Sequence, residues 1–154
     1  MSDKKISILY VDDEENNLIS FKATFRIKYT VFTAISGDEA MKIMETKPVD
    51  IIITDQRMPN MTGVEFLEKV LEKHPDPMRI LLTGYADMNA VVDAVNKGKI
   101  FHYLAKPWNE EELDMTIKRA YEVYKDNQEV KEMNEKLAVS NDQLEFLLRQ
   151  RLLS

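Results

Sequence analysis

Ile51-Ile52-Ile53-Thr54-Asp55-Gln56-Arg57-Met58-Pro59 is the stretch on which the fold turns. Three consecutive β-branched residues favour an extended strand. They show no polar alternation, so both faces of that strand must be covered, which is the habit of parallel sheets. Ile80-Leu81-Leu82 has the same character. Working outward, short apolar runs at 6–11, 30–35, 49–54, 79–83 and 101–105 alternate with amphipathic stretches at 15–25, 38–46, 64–73 and 89–97. Helix starts are readable as capping boxes at Ser36-Gly37-Asp38-Glu39, Thr62-Gly63-Val64-Glu65 and Asn109-Glu110-Glu111-Glu112, the last with Trp108 and Leu113 at staple spacing. His74-Pro75-Asp76-Pro77 closes the third helix. Strict strand–helix alternation predicts an α/β fold. The sheet expected is doubly wound, five-stranded and parallel, in the flavodoxin-like order 2-1-3-4-5, with helices on both faces.

Beyond the fifth strand the pattern changes. No Gly or Pro occurs from Asn109 to Ser154, so one helix of about 46 residues, some 70 Å long, is allowed. Val123, Val130, Leu137 and Leu144 repeat every seven residues, with Met133, Leu147 and Leu148 on the same side. This reads as a coiled coil, weakened by Asn127, Asn134, Ser140 and Asn141. The division expected is a domain over 1–124 and a helical extension over 125–154. A net charge of −6 argues against a nucleic-acid surface. The chain has no cysteine, which excludes disulfides and thiolate metal sites and suits a reducing cytoplasm. No apolar run is long enough to span a membrane.

The unusual polar residues fall at strand ends: Asp12 and Asp13 after the first strand, Asp55 after the third, Thr83 at the end of the fourth, Lys106 after the fifth. In open parallel sheets, sites form beyond the carboxyl ends of the strands, and strands one and three meet at the switch point. Converging carboxylates repel unless a cation joins them. Oxygen donors without His or Cys suit a hard ion, Mg²⁺ first. Lys106 and Thr83 supply a cation and a hydroxyl donor for phosphoryl oxygens, and an aspartate can be the nucleophile in phosphoryl transfer. Singly, each residue has a structural use: Asp12 and Asp13 as helix caps, Asp55 in a turn, Lys106 at the surface, Thr83 as strand filler. Together, on one sheet edge, they point to phosphoryl chemistry on Asp55.

Tyr10-Val11-Asp12-Asp13-Glu14, Thr54-Asp55-Gln56-Arg57-Met58-Pro59, Gly63, Leu82-Thr83-Gly84 and Tyr103-Leu104-Ala105-Lys106-Pro107 resemble a two-component response-regulator receiver, in order and at family spacing, over about residues 4–124. The resemblance implies that Asp55 accepts a phosphoryl group from a histidine kinase or phosphotransfer protein. It implies Mg²⁺ held by Asp13, Asp55 and the backbone carbonyl of Arg57, with Asp12 acting mainly through water. Lys106 would contact the phosphoryl group, Thr83 would move toward it, and Tyr103 would turn inward as a switch aromatic. The Lys106–Pro107 peptide is expected to be cis.

Such a chain would be a phospho-accepting signalling domain rather than an enzyme, with slow self-dephosphorylation. It would signal through helix four, strand five, helix five and the C-terminal helix, as a homodimer. Arg57 and Tyr85 stand at variable positions of the family; both are expected to crowd the phosphoryl group and slow attack by water. The stretches around Tyr85, Ile100-Phe101-His102-Tyr103 and Trp108 resemble receivers joined to cyclic-dinucleotide hydrolases or other enzymes. The alternative is therefore a regulatory fragment of a larger enzyme. A phosphate-independent pseudo-receiver is disfavoured by the intact polar set. A Mg²⁺-dependent phosphatase is disfavoured because no second acid or substrate cap is found.

Overall fold

The computed structural model describes residues 5–84 and 87–153. The elements alternate as β1 (Ser7–Val11), α1 (Glu15–Phe25), β2 (Thr30–Ala34), α2 (Gly37–Thr46), β3 (Ile51–Asp55), α3 (Gly63–Lys73), β4 (Met78–Thr83), α4 (Met88–Asn96), β5 (His102–Ala105) and α5 (Glu110–Leu153). All pairings are parallel, in the order β2-β1-β3-β4-β5. β1, β3 and β4 are central and almost wholly buried, as their unbroken apolar runs require.

Period-two alternation sends the strand side chains into two cores. Ile8, Tyr10, Ile51, Ile53, Ile80 and Leu82 face Phe21 and Phe25 of α1 and Leu113, Ile117 and Ala120 of α5. Leu9, Val11, Ile52 and Leu81 face Ala40 and Met44 of α2, Phe66, Leu67 and Val70 of α3, and Val91 and Ala94 of α4. The aromatic part of the first core is continuous: Tyr10 stacks on Phe21 at 4.2 Å, and Trp108 lies against both Phe21 and Phe25.

The helix starts follow the capping signals. Ser36 Oγ accepts from the Glu39 amide, Asn109 Oδ1 accepts from the Glu112 amide, and at Thr62 the reciprocal box with Glu65 is complete. Apart from β2, which starts at Thr30 as expected, the strand starts differ from the apolar runs by one or two residues. At β3 the reason is Asp50. Its amide donates to the Ser7 carbonyl, its carbonyl accepts from Met78, and its carboxylate accepts from the Ser7 amide at 3.0 Å. Asp50 thus joins the lower ends of three strands. Its carboxylate also bonds the Tyr124 hydroxyl of α5; burial and this acidic neighbour push that phenol up to about 12. Asp50→Ala should therefore strand the amide of buried Ser7, release the half-buried Tyr124, and cost about 2 kcal/mol in denaturant unfolding.

Helix α5 is continuous over 44 residues. One face of its first turns is buried, and Asp114 receives a short hydrogen bond from Tyr29 and ion pairs from Lys28 and Lys118. Burial opposes ionisation of Asp114, but these donors win and hold its carboxyl below the ordinary range. Lys131 reaches back to Asp76 at 3.0 Å. Beyond it Met133, Leu137, Leu144, Leu147 and Leu148 are all more than half exposed.

Candidate functional site

The topology puts the carboxyl ends of β1 and β3 side by side, and with them Asp12, Asp13 and Asp55. Carboxylate oxygens of these three residues lie within 4.8 Å of one another. Asp12 is fully buried and held from three sides. Its Oδ2 accepts from the Tyr10 hydroxyl at 2.9 Å and from Asn17 Nδ2 at 3.1 Å, and its Oδ1 accepts from the Glu14 amide at 3.0 Å. That last bond is an Asx-type turn leading into α1; neither Asp12 nor Asp13 caps the helix, whose N-cap is Glu14 with no side-chain cap bond. Burial beside Asp12 drives the Tyr10 phenol far above its ordinary range, which keeps it a hydrogen-bond donor.

Asp55 ends β3 with its side chain only 7% exposed. Lys106 Nζ lies 2.6 Å from its Oδ1. Burial raises the Asp55 carboxyl above its ordinary range; Lys106 pulls it down and Asp12 adds to the rise. Lys106 stands one residue past β5, its amide donating to the Thr83 carbonyl at 3.0 Å, and the Lys106–Pro107 peptide is cis. Thr83 ends β4, fully buried, and its hydroxyl donates to the Gly84 carbonyl at 3.1 Å. Tyr103 is half-buried, stacked on His102 and packed against the α2–α4 core.

The loop after Asp55 is pinned to the start of α3: the Gly63 amide donates to the Gln56 carbonyl, and the Val64 amide to Gln56 Oε1. Arg57 stands in the same loop. Its Nε donates to Asp87 Oδ2 at 3.0 Å, because the opposite charge at the head of α4 is within reach. Tyr85 lies outside the described residues. Asp13, Arg57 and Asp87 share the lining of a cleft of about 370 Å³.

Three carboxylates against one ammonium leave this pocket strongly negative, and all its donors are oxygens. That donor set fits a hard divalent cation and offers nothing to a soft one.

The sequence profile of the family described as "Response regulator receiver domain" matches residues 8–118. The chain belongs to the response-regulator receiver family. Receivers recur among its relatives. The hydrogenase transcriptional regulatory protein HoxA of Cupriavidus necator is 40% identical over 122 residues, covering 79% of this chain and 25% of that protein. A crystal structure described as adenylate cyclase from Rhodopirellula baltica is 31% identical, with TM-score 0.83 over 86% of this chain and 98% of that one. The receiver domain crystal structure from Clostridium thermocellum is 32% identical, with TM-score 0.73 over 78% and 97%. The chain thus spans about a quarter of the length of the curated relatives it matches.

Within this receiver, all the strand-end residues singled out from the sequence come to one edge of the sheet. Tyr10, Asn17, Gln56 and Asp87 were not among them. Tyr10 and Asp12 are two apart on a strand and so share a face, a signal that could have found the first. The Arg57–Asp87 pair spans 30 residues and left no local trace.

Proposed function

We propose that this receiver accepts one phosphoryl group on Asp55, with Mg²⁺, from a histidine kinase or phosphotransfer protein. The observation that carries the reading is the Lys106–Asp55 contact at the centre of the Asp12–Asp13–Asp55 cluster. Bound between Asp13, Asp55 and the Arg57 carbonyl, Mg²⁺ would neutralise charge on the transferred group. An Asp55 carboxylate oxygen attacks phosphorus as the bond to the donor nitrogen breaks, and the released imidazole takes a proton from water. Asp12 stays fixed by Tyr10 and Asn17 and acts through water. Lys106 follows the charge from the carboxylate to the phosphoryl oxygens. Thr83 exchanges its bond to the Gly84 carbonyl for one to the phosphoryl group, and Tyr103 moves inward behind it. The chain signals rather than turns over substrate, and its aspartyl phosphate decays slowly. Incubation with Mg²⁺ and a small acyl phosphate should load one phosphate per chain, and a chelator should prevent it. Turnover of an external phosphoester without retained label would sink the reading.

Residues 1–124 act as the receiver and 125–154 as a coiled-coil extension. Val130, Met133, Leu137, Leu144 and Leu147 form an exposed seam on α5, which supports pairing with a second copy. By light scattering, Mg²⁺ with beryllofluoride should shift the mass from monomer toward dimer, and Leu144→Asp should abolish the shift. A mass indifferent to beryllofluoride would remove phosphorylation control of association. The second reading is a regulatory portion of a longer protein. It is supported by HoxA, of which this chain matches only a quarter.

A further inference from the structure

We propose that Arg57 is a phosphoryl-responsive latch on α4: it withholds the helix cap Asp87 until a phosphoryl group on Asp55 draws it away. This rests on Asp55 being the acceptor.

Three helix starts in this chain can be compared. Ser36 and Thr62 sit in extended backbone (ψ 165° and 163°), and each accepts the amide three residues on. Asp87 has an equally good capping side chain. Yet its backbone has ψ 10°, and its carboxylate makes no cap bond. That carboxylate is taken instead by Arg57 at 3.0 Å. The first turn of α4 therefore lacks the acceptor that its own sequence supplies.

The pair is also poised to break. The Arg57 side chain is 73% exposed, so its bond to Asp87 is screened and weak. Arg57 is two residues from Asp55, and it lines the same cleft as Asp13. A phosphoryl group adds about two negative charges there. A guanidinium prefers a phosphoryl group, which it can bind with two parallel bonds, to a single exposed carboxylate contact. Once Arg57 moves, Asp87 faces added negative charge on one side and the positive end of α4 on the other. Rotation of its backbone into the extended region then lets it cap the amides of Asn89 or Ala90. Charge at Asp55 becomes order at the head of α4, through two side chains.

Amide exchange by NMR reads this directly. In the wild-type chain, binding of Mg²⁺ and beryllofluoride, monitored separately by fluorine NMR, should slow exchange at Asn89 and Ala90 about fivefold, the worth of one N-cap. Asp87→Asn keeps a capping group but loses the ion pair, so its first turn should be protected without beryllofluoride. Arg57→Ala should behave likewise. Asp87→Ala, which can neither pair nor cap, should stay unprotected in both states. The latch is overturned if beryllofluoride binds and the wild-type amides do not slow, or if Arg57→Ala and Asp87→Asn leave them as fast as wild type. If beryllofluoride does not bind at all, the acceptor reading and the handover both fall. The two variants still decide whether Arg57 withholds the cap.

Discussion

Asp55→Asn is expected to take up no phosphoryl group from an acyl phosphate or a kinase, and to melt above the wild type in metal-free buffer. The first result follows from the amide's lack of a nucleophilic oxygen anion. The second follows from electrostatics. The Asp55 carboxyl is raised mainly by burial, and Lys106 only partly offsets this. A carboxyl raised in the folded state ionises first in the unfolded chain. Folded stability therefore falls as pH climbs from the unfolded value through the folded one, and the cost is complete once the pH has passed the folded value. Replacing the carboxylate removes that cost and relieves its repulsion with Asp12 and Asp13. Lys106, one-third exposed, can return to water. A gain of about 1 kcal/mol corresponds to about 2–4 °C in Tm for a chain of this size. Added Mg²⁺ should raise the Tm of the wild type by mass action and do much less for the variant. Intact mass and calorimetry on the two proteins decide both claims. Stoichiometric label on Asp55→Asn would move the nucleophile elsewhere. A fall in metal-free Tm would mean that the Lys106 pair outweighs the burial of Asp55.

Much of this was legible because the information is local or periodic. The isoleucine run at 51–53 has no polar face, and that alone excludes a half-solvated antiparallel strand. Thr62 and Glu65 announce a helix start within four residues, and the box forms. Asp12, Asp13, Asp55, Thr83 and Lys106 could be gathered because the doubly wound rule says where strand ends meet. What escaped depends on contacts between distant segments. Asp50 reads as a polar residue at the edge of an apolar run. Only the fold reveals that it bonds Ser7, 43 residues earlier, and Tyr124 on the last helix. Arg57 could be placed near Asp55 by counting, but not aimed. Its side chain is long, and the anion that orients it is supplied by the head of α4.

Gly63→Ala should destabilise the receiver by about 3 kcal/mol, although intrinsic preference points the other way. Gly63 is the first residue of α3, with ordinary backbone angles, and alanine is favoured over glycine within a helix by about 1 kcal/mol. A β-carbon there would lie 2.4 Å from the Asp55 carbonyl oxygen, 2.7 Å from Leu81 Cδ1 and 3.0 Å from Gln56 Cα. Two of these are backbone atoms of the acceptor loop, and that loop is tied down by the Gly63 and Val64 amides. The clash cannot be relieved by a rotamer change, so overpacking wins over propensity. Gly37 differs: its nearest neighbours are the side chains of Phe66 at 3.1 Å and Met61 at 3.2 Å, and Met61 is flexible. At Gly84 an added β-carbon meets nothing within 4 Å among the described residues, so Gly84→Ala should stay within about 0.5 kcal/mol of wild type. The contrast between Gly63→Ala and Gly84→Ala in urea unfolding isolates the cause. If Gly63→Ala also loses phosphoryl uptake while remaining folded at low temperature, the missing β-carbon serves the chemistry as well as the fold, because the carbonyl it would displace belongs to Asp55. An unperturbed midpoint for Gly63→Ala would mean that the loop below Asp55 yields easily, and the rigid placement of the acceptor would need another explanation.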